Sequence, residues 1–375
     1  MVDIKGLRSS VKTVEPYIPG KTICEVQREY RLSKVIKLGS NENPYGPFPS
    51  ALAAMQKELT SLYMYPDSDF NEIKSAIAGK FGIDDAYISI AHGAGGMLQT
   101  LAKTFIDEGD EVLMPAQTYG LYKEISKLMG GIIKEIPLDD SFTIDLEAIQ
   151  RAITSKTKLI WLCNPNNPTG TVFDGAAYQR LLNMLPEHAW VVLDEAYAEF
   201  AASHLLPDSI KDIRAGKNVI VVRTFSKAYG LAGARIGYAI ARPDMITAID
   251  TVAEPFNANR IGIAGAIATL KEDQVPYKIS LQQIIKDRQM VSEALKEMDF
   301  QVSNSHTNFV FFHTPYNAQA LSGELMKKGI IVRPCTAWNY PTAIRITVGT
   351  SEEMIKFLKL FQSILERKKA IRREA

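Results

Sequence analysis

Between residues 86 and 240, short apolar, β-branched runs alternate with stretches whose apolar residues return at helical spacing. The runs are AYISIAH (86–92), DEVLMPA (110–116), GIIKEIPL (131–138), KLIWLCN (158–164), AWVVLDE (189–195), NVIVVRT (218–224) and ARIGYAI (234–240). Each has the length and composition of a buried strand. GGMLQTLAKTFI (95–106) and AAYQRLLNML (176–185) read as helices between them. This alternation predicts an α/β fold with a mostly parallel sheet covered on both faces. Ligands of such sheets bind beyond the carboxyl ends of the strands, so chemistry is expected just after each run.

The flanks read differently. The first forty or so residues show no clear period and are broken at Pro16, Pro19 and Gly20, which suggests an irregular arm. NENPYGPFPS (41–50) is a loop by its Asn, Pro and Gly content, and Ser50 is placed to cap the following helix. After about residue 255 a long polar-apolar helix (279–298) leads to short strands FVFFH, GIIVRP and AIRITVG and a last helix from Ser351. The expected division is an arm over 1–45 packing with the small domain, a large domain over 46–255 and a smaller α+β domain over 256–375.

A length of 375 residues suits two domains rather than one core. A formal net charge of +1 offers no basic face for nucleic acid. No run approaches the length of a membrane span, and the N-terminus lacks the apolar core of a signal peptide, so a cytoplasmic protein is expected. Cys24, Cys163 and Cys335 have no paired spacing and read as reduced, buried thiols, with neither a disulfide nor a metal site.

The candidate chemistry does fall after strands. In TFSKAYGLAGARIGY (224–238), Thr224, Ser226, Lys227 and Arg235 bring hydroxyls and a guanidinium together as a phosphate cradle beside a lysine. Such a lysine, shielded from water, can lose its proton and attack a carbonyl. AWVVLDEAY ends a buried run on Asp194-Glu195, with Tyr197 close behind. A carboxylate there needs a cationic partner, and a protonated pyridine nitrogen or a metal would both serve. No Walker A sequence accompanies it. In CNPNNPTG, Asn167 sits on a turn where it can donate to an anionic oxygen. HGAGG (92–96) presents bare amides, those of Ala94 and Gly95 among them, at a helix start. Tyr119, in QTYGLY, can stack on a ring. Arg333 and Arg345 end or interrupt apolar strands and call for anions; a substrate carboxylate or a structural ion pair would each satisfy them.

In this order, NENPYGP, YP, TYG, NPNNPTG, DEAY, SK…R and RITVG resemble the fold-type-I aminotransferases that use pyridoxal 5'-phosphate (PLP). Within that class they are most similar to the histidinol-phosphate aminotransferase family, from Tyr17 to Gly349. The resemblance implies that Lys227 holds the cofactor as a Schiff base and that Asp194 pairs with its ring nitrogen. It assigns Tyr197 and Asn167 to the phenolic oxygen and Tyr119 to ring stacking. Ala94, Gly95, Thr224, Ser226 and Arg235 would hold the phosphate, and Tyr65, in MYPD, would reach the partner's site in a homodimer. Arg345 would grip a carboxylate, and Tyr17, Asn43 and Arg333 would meet the substrate. One departure stands out: Gly95-Gly96 replaces the family's usual acidic pair, and the helix start loses charge that favours it.

The implied reaction is transamination between histidinol phosphate and 2-oxoglutarate or glutamate, as in histidine biosynthesis. Trp338 and Tyr340 beside Arg333 keep an aromatic amino acid aminotransferase open. A decarboxylase of the threonine-phosphate type is a further alternative. A non-catalytic regulator on the same fold would need an added DNA-binding domain, for which the arm has no room.

Overall fold

The computed structural model describes residues 4–16 and 20–374. Tyr17, expected at the substrate, lies outside them. The strands are, in chain order, β1 (Ile36–Lys37), β2 (Ile88–His92), β3 (Glu111–Pro115), β4 (Ile132–Ile136), β5 (Thr157–Cys163), β6 (Trp190–Asp194), β7 (Val219–Thr224), β8 (Ile236–Ile240), β9 (Phe309–His313), β10 (Ile330–Ile331), β11 (Arg333–Pro334) and β12 (Ala343–Thr347).

Seven of these form one sheet in the order β2-β8-β7-β6-β5-β3-β4. Only β8 runs against the others. Every apolar run between 86 and 240 is thus a strand. β5 and β6 are buried along almost their whole length, as a sheet covered on both faces requires. One face packs on a core with Phe225, Tyr229 and Tyr238, the other on a core with Trp161, Tyr122 and Leu98. Residues at 116, 164, 195 and 225 therefore leave the sheet along one edge. β8 enters at that same edge, because Ile236 pairs with His92 and Gly237 with Thr224.

A second, three-stranded sheet has the order β11-β12-β9, all antiparallel. It packs with the last helix through Phe309, Phe312, Phe357 and Phe361. The helix Arg260–Lys271 does not join this core. Ala258 and Ala266 pack in the large-sheet core instead, which carries that core past residue 255.

The arm is more regular than its sequence suggests. It holds a helix, Ile23–Tyr30, begun by a reciprocal capping pair between Thr22 and Glu25. It also meets both sheet regions: Glu15 N–H donates to Glu124 at 2.7 Å on the surface of the large-sheet region, whereas β1 pairs with β10. Ser50 is not a cap. The helix Pro49–Glu58 starts after Phe48, and the amides of Ser50 and Ala51 donate to Asp273 at 3.0 and 2.8 Å. Cys163 and Cys335 are buried thiols, but Cys24 is exposed.

Candidate active site

Asp194 is the last residue of β6 and is 3% exposed. Its carboxylate accepts from the Tyr122 hydroxyl at 2.7 Å and from the Ala196 amide at 3.0 Å. Burial nevertheless pushes its pKa up to about 6. Two donors do not fully replace water around a buried carboxylate. The deficit is what a cation placed against Asp194 would make good, so a protonated pyridine ring fits this residue.

Lys227 follows β7 and is half-buried. Its Nζ donates to the Ser40 carbonyl at 3.2 Å and lies 5.8 Å from the Tyr197 ring centroid. Burial, then the positive charge of Arg345, lowers its pKa to about 8. A useful fraction of neutral amine is therefore present near neutral pH, which carbonyl attack requires.

The phosphate cradle is built by close packing. Arg235 takes a left-handed backbone (φ +57°) and its Nη1 donates to Ser226 Oγ at 3.2 Å. Ser226 N–H in turn donates to Thr224 Oγ1 at 3.1 Å. The guanidinium lies so near Gly93 that a Cβ there would come within 2.4 Å of Arg235 Nη2. Gly93 (φ +73°) is the glycine the turn requires. At Gly95 a Cβ would meet only Leu121, at 3.6 Å, so the missing acidic pair is not imposed by crowding there. The helix Gly93–Phe105 starts here with Gly93 beside the Arg235 guanidinium, and a dianion fits this cradle.

Asn167 Nδ2 approaches the Tyr197 hydroxyl at 3.5 Å, and its Oδ1 accepts from Arg345 Nη1 at 2.5 Å. Arg345 also donates to the Gly39 carbonyl at 2.9 Å. Arg333 is its register neighbour on β11, so the two guanidiniums share one face of the small sheet. Trp338 lies against both, 5.8 Å from Arg333 and 5.6 Å from Arg345, and donates from Nε1 to the Thr118 carbonyl at 2.6 Å. That bond ties Trp338 to the residue before half-buried Tyr119. Tyr340 packs instead with Phe142, Phe311 and His313.

Tyr65, expected in a partner's site, lies outside the site of this chain, and Asn43 is engaged within the protein. Tyr65 is 76% exposed and stacks on Phe256 at 4.5 Å. Asn43 does not offer its amide to a ligand: Nδ2 donates to the Ala228 carbonyl at 2.9 Å and to Ser280 at 3.1 Å, and Oδ1 accepts from Tyr45. Its expected substrate role is replaced by holding the loop onto the Lys227 segment. Two residues were missed. Tyr122 reads from sequence as an ordinary core residue, and Asn41 is hidden in a motif where Asn43 drew the assignment.

The model of aminotransferase class I and II matches residues 33–360, which spans every site residue just described. The chain belongs to the class I and II aminotransferases. It is 37% identical to a histidinol-phosphate aminotransferase of Moorella thermoacetica, covering 96% of this chain and 92% of that one. It is 38% identical to the same-named protein of Caldicellulosiruptor saccharolyticus, covering 96% and 99%. Among solved structures, histidinol-phosphate aminotransferase of Sinorhizobium meliloti in complex with pyridoxal-5'-phosphate matches with a TM-score of 0.87 at 30% identity, covering 96% and 99%. Aspartate aminotransferase variants of Thermus thermophilus share the fold, with a TM-score of 0.81 at 21% identity for one.

Proposed function

We propose that this aminotransferase moves the amino group between histidinol phosphate and 2-oxoglutarate, using PLP, as a cytoplasmic homodimer in histidine biosynthesis. The observation that carries the substrate reading is the pair of guanidiniums, Arg333 and Arg345, on one face of the small sheet. A phosphate ester and a dicarboxylic acid both profit from two cations, whereas an aromatic amino acid needs only one. The names of the relatives agree with this choice. The two cores would act as a large and a small domain around the site.

When bound, PLP supplies an electron-withdrawing ring that stabilises negative charge on the substrate carbon. The remaining work belongs to the chain. Arg235, Ser226, Thr224 and the Ala94 and Gly95 amides would anchor the phosphate, and Tyr119 would cover a ring face. Asp194 would keep the ring nitrogen protonated, with Tyr197 and Asn167 donating to the phenolic oxygen. Lys227 would hold the cofactor, then take the proton from the substrate carbon as a neutral amine and return it. Arg345 would orient the anionic end of the substrate.

The test is a half-reaction screen with histidinol phosphate, phenylalanine, tyrosine and threonine phosphate, with a check for carbon dioxide from the three that carry a carboxylate. Saturation at the lowest concentration is expected with histidinol phosphate, and no gas is expected from the others. Trp338, against both guanidiniums, favours the aromatic reading as the second choice. Tighter saturation by phenylalanine would establish it, and carbon dioxide release would replace transamination by decarboxylation.

A further inference from the structure

The NENP loop enters the site at Asn41, which is 1% exposed and has a left-handed backbone (φ +57°). Its side-chain amide has a defined orientation. Oδ1 accepts from the Thr347 hydroxyl at 3.1 Å, and that hydroxyl accepts from Asn41 N–H at 2.8 Å. Nδ2 is therefore the end that reaches the Tyr197 hydroxyl, at 3.0 Å. The backbone is held as well, because Asn308 Nδ2 donates to the Asn41 carbonyl at 3.0 Å.

The consequence concerns one proton. A tyrosine hydroxyl has one hydrogen to give and can accept two. At Tyr197 both contacts are received, from Asn41 at 3.0 Å and from Asn167 at 3.5 Å. The shorter comes from Asn41. With its oxygen lone pairs engaged by amide donors, the hydroxyl must direct its own hydrogen to a different acceptor.

We propose that Asn41 is a positioning residue: it occupies the acceptor side of Tyr197 so that the Tyr197 proton is presented to the anionic phenolic oxygen of the cofactor. Asn41 thus acts through Tyr197 and does not touch the cofactor. Because β12 carries both Arg345 and Thr347, the strand that would grip the substrate also sets the orientation of this amide. The proposal rests on the PLP reading above.

Two variants of the full chain test it. Asn41→Gly keeps the left-handed backbone without strain and removes the amide. Asn41→Asp keeps the shape but turns the donor into an acceptor, which draws the Tyr197 hydrogen away. PLP affinity is read by fluorescence titration of cofactor-free protein, and the pH midpoint of the visible absorbance by spectrophotometry of the loaded protein. A donor to the phenolic oxygen stabilises its charge and lowers that midpoint. Asn41→Gly should weaken affinity roughly three- to tenfold and raise the midpoint by about half a unit. Asn41→Asp should do more. In a Tyr197→Phe background Asn41→Gly should change little, because the residues act as one unit. The titratable groups around Tyr197 and Lys227, namely Arg345, Arg235, Asp194, Glu42 and Cys163, are unchanged in Asn41→Gly, so its midpoint shift carries the test, whereas Asn41→Asp also adds a charge. An unshifted midpoint, or effects that add in full to those of Tyr197→Phe, would overturn the proposal alone. Unaltered protein that forms no absorbing adduct with PLP would overturn the functional reading beneath it.

Discussion

Asp194 shows how a single residue stores the requirement for its ligand. Its pKa stands at about 6, raised mainly by burial. Folding raises this acid above its ordinary value, so an ionised Asp194 with no cation against it costs stability above pH 6, and the cost fades as pH falls toward 4. From the shift the cost is about 3 kcal/mol at neutral pH. Binding a cation has the opposite sign, since it needs the carboxylate. The Asp194 contribution to PLP affinity should therefore be level above pH 6 and fall as pH drops through about 6, apart from the change that the Lys227 amine adds near pH 8. Tyr122→Phe removes one of the two donors to Asp194 and should move that onset upward by roughly one unit. Fluorescence titrations at a series of pH values read both effects, and an onset unmoved by the substitution would remove Tyr122 from the account. At this scale the legible residues were those whose type and place after a strand speak locally: Lys227, Asp194, Tyr197, Asn167 and Arg235. The partners that orient them were not legible. Tyr122 meets Asp194 across 72 positions and Asn41 meets Tyr197 across 156, and no local pattern encodes such pairs.

Among the elements, strands were the most readable because β-branched runs between turn residues specify them within a few positions. Helix starts were read less well, in two distinct ways. The Thr22 and Glu25 pair is a local signal that identifies the helix Ile23–Tyr30, yet the prolines nearby pointed to an irregular arm. The helix Pro49–Glu58 carries no such signal. Its cap, Asp273, comes from 223 and 222 positions away and is 2% exposed. Asp273→Ala should cost about 1–2 kcal/mol, the range for a lost cap. Chemical denaturation would register this as a lower midpoint at unchanged slope, whereas Ser50→Ala should leave the midpoint nearly in place because Ser50 contributes only its amide. A larger loss for Ser50→Ala than for Asp273→Ala would restore the capping role to Ser50.

For the whole molecule, one edge of one sheet gathers groups from Gly93 to Arg235, and a second sheet brings the two arginines. Alternating periodicity announced the large sheet. It did not announce that the helix Arg260–Lys271 returns to the first core, because an amphipathic stripe does not say which core it covers. Leu59, Leu62, Tyr63, Met64 and Tyr65 form an exposed apolar stretch that a second chain would cover. Sedimentation should show a dimer, and co-expressing Tyr65→Ala with Lys227→Ala should give more activity than either variant alone, since one site of each hybrid keeps both residues. A monomer at micromolar concentration would contradict this. Everything else turns on Lys227. Borohydride reduction of the PLP-loaded protein, followed by peptide mass mapping, tests it most directly. The account predicts a stable phosphopyridoxyl mass on the peptide holding Lys227, and on no other lysine. A label on a different lysine, or none on this one, would contradict it.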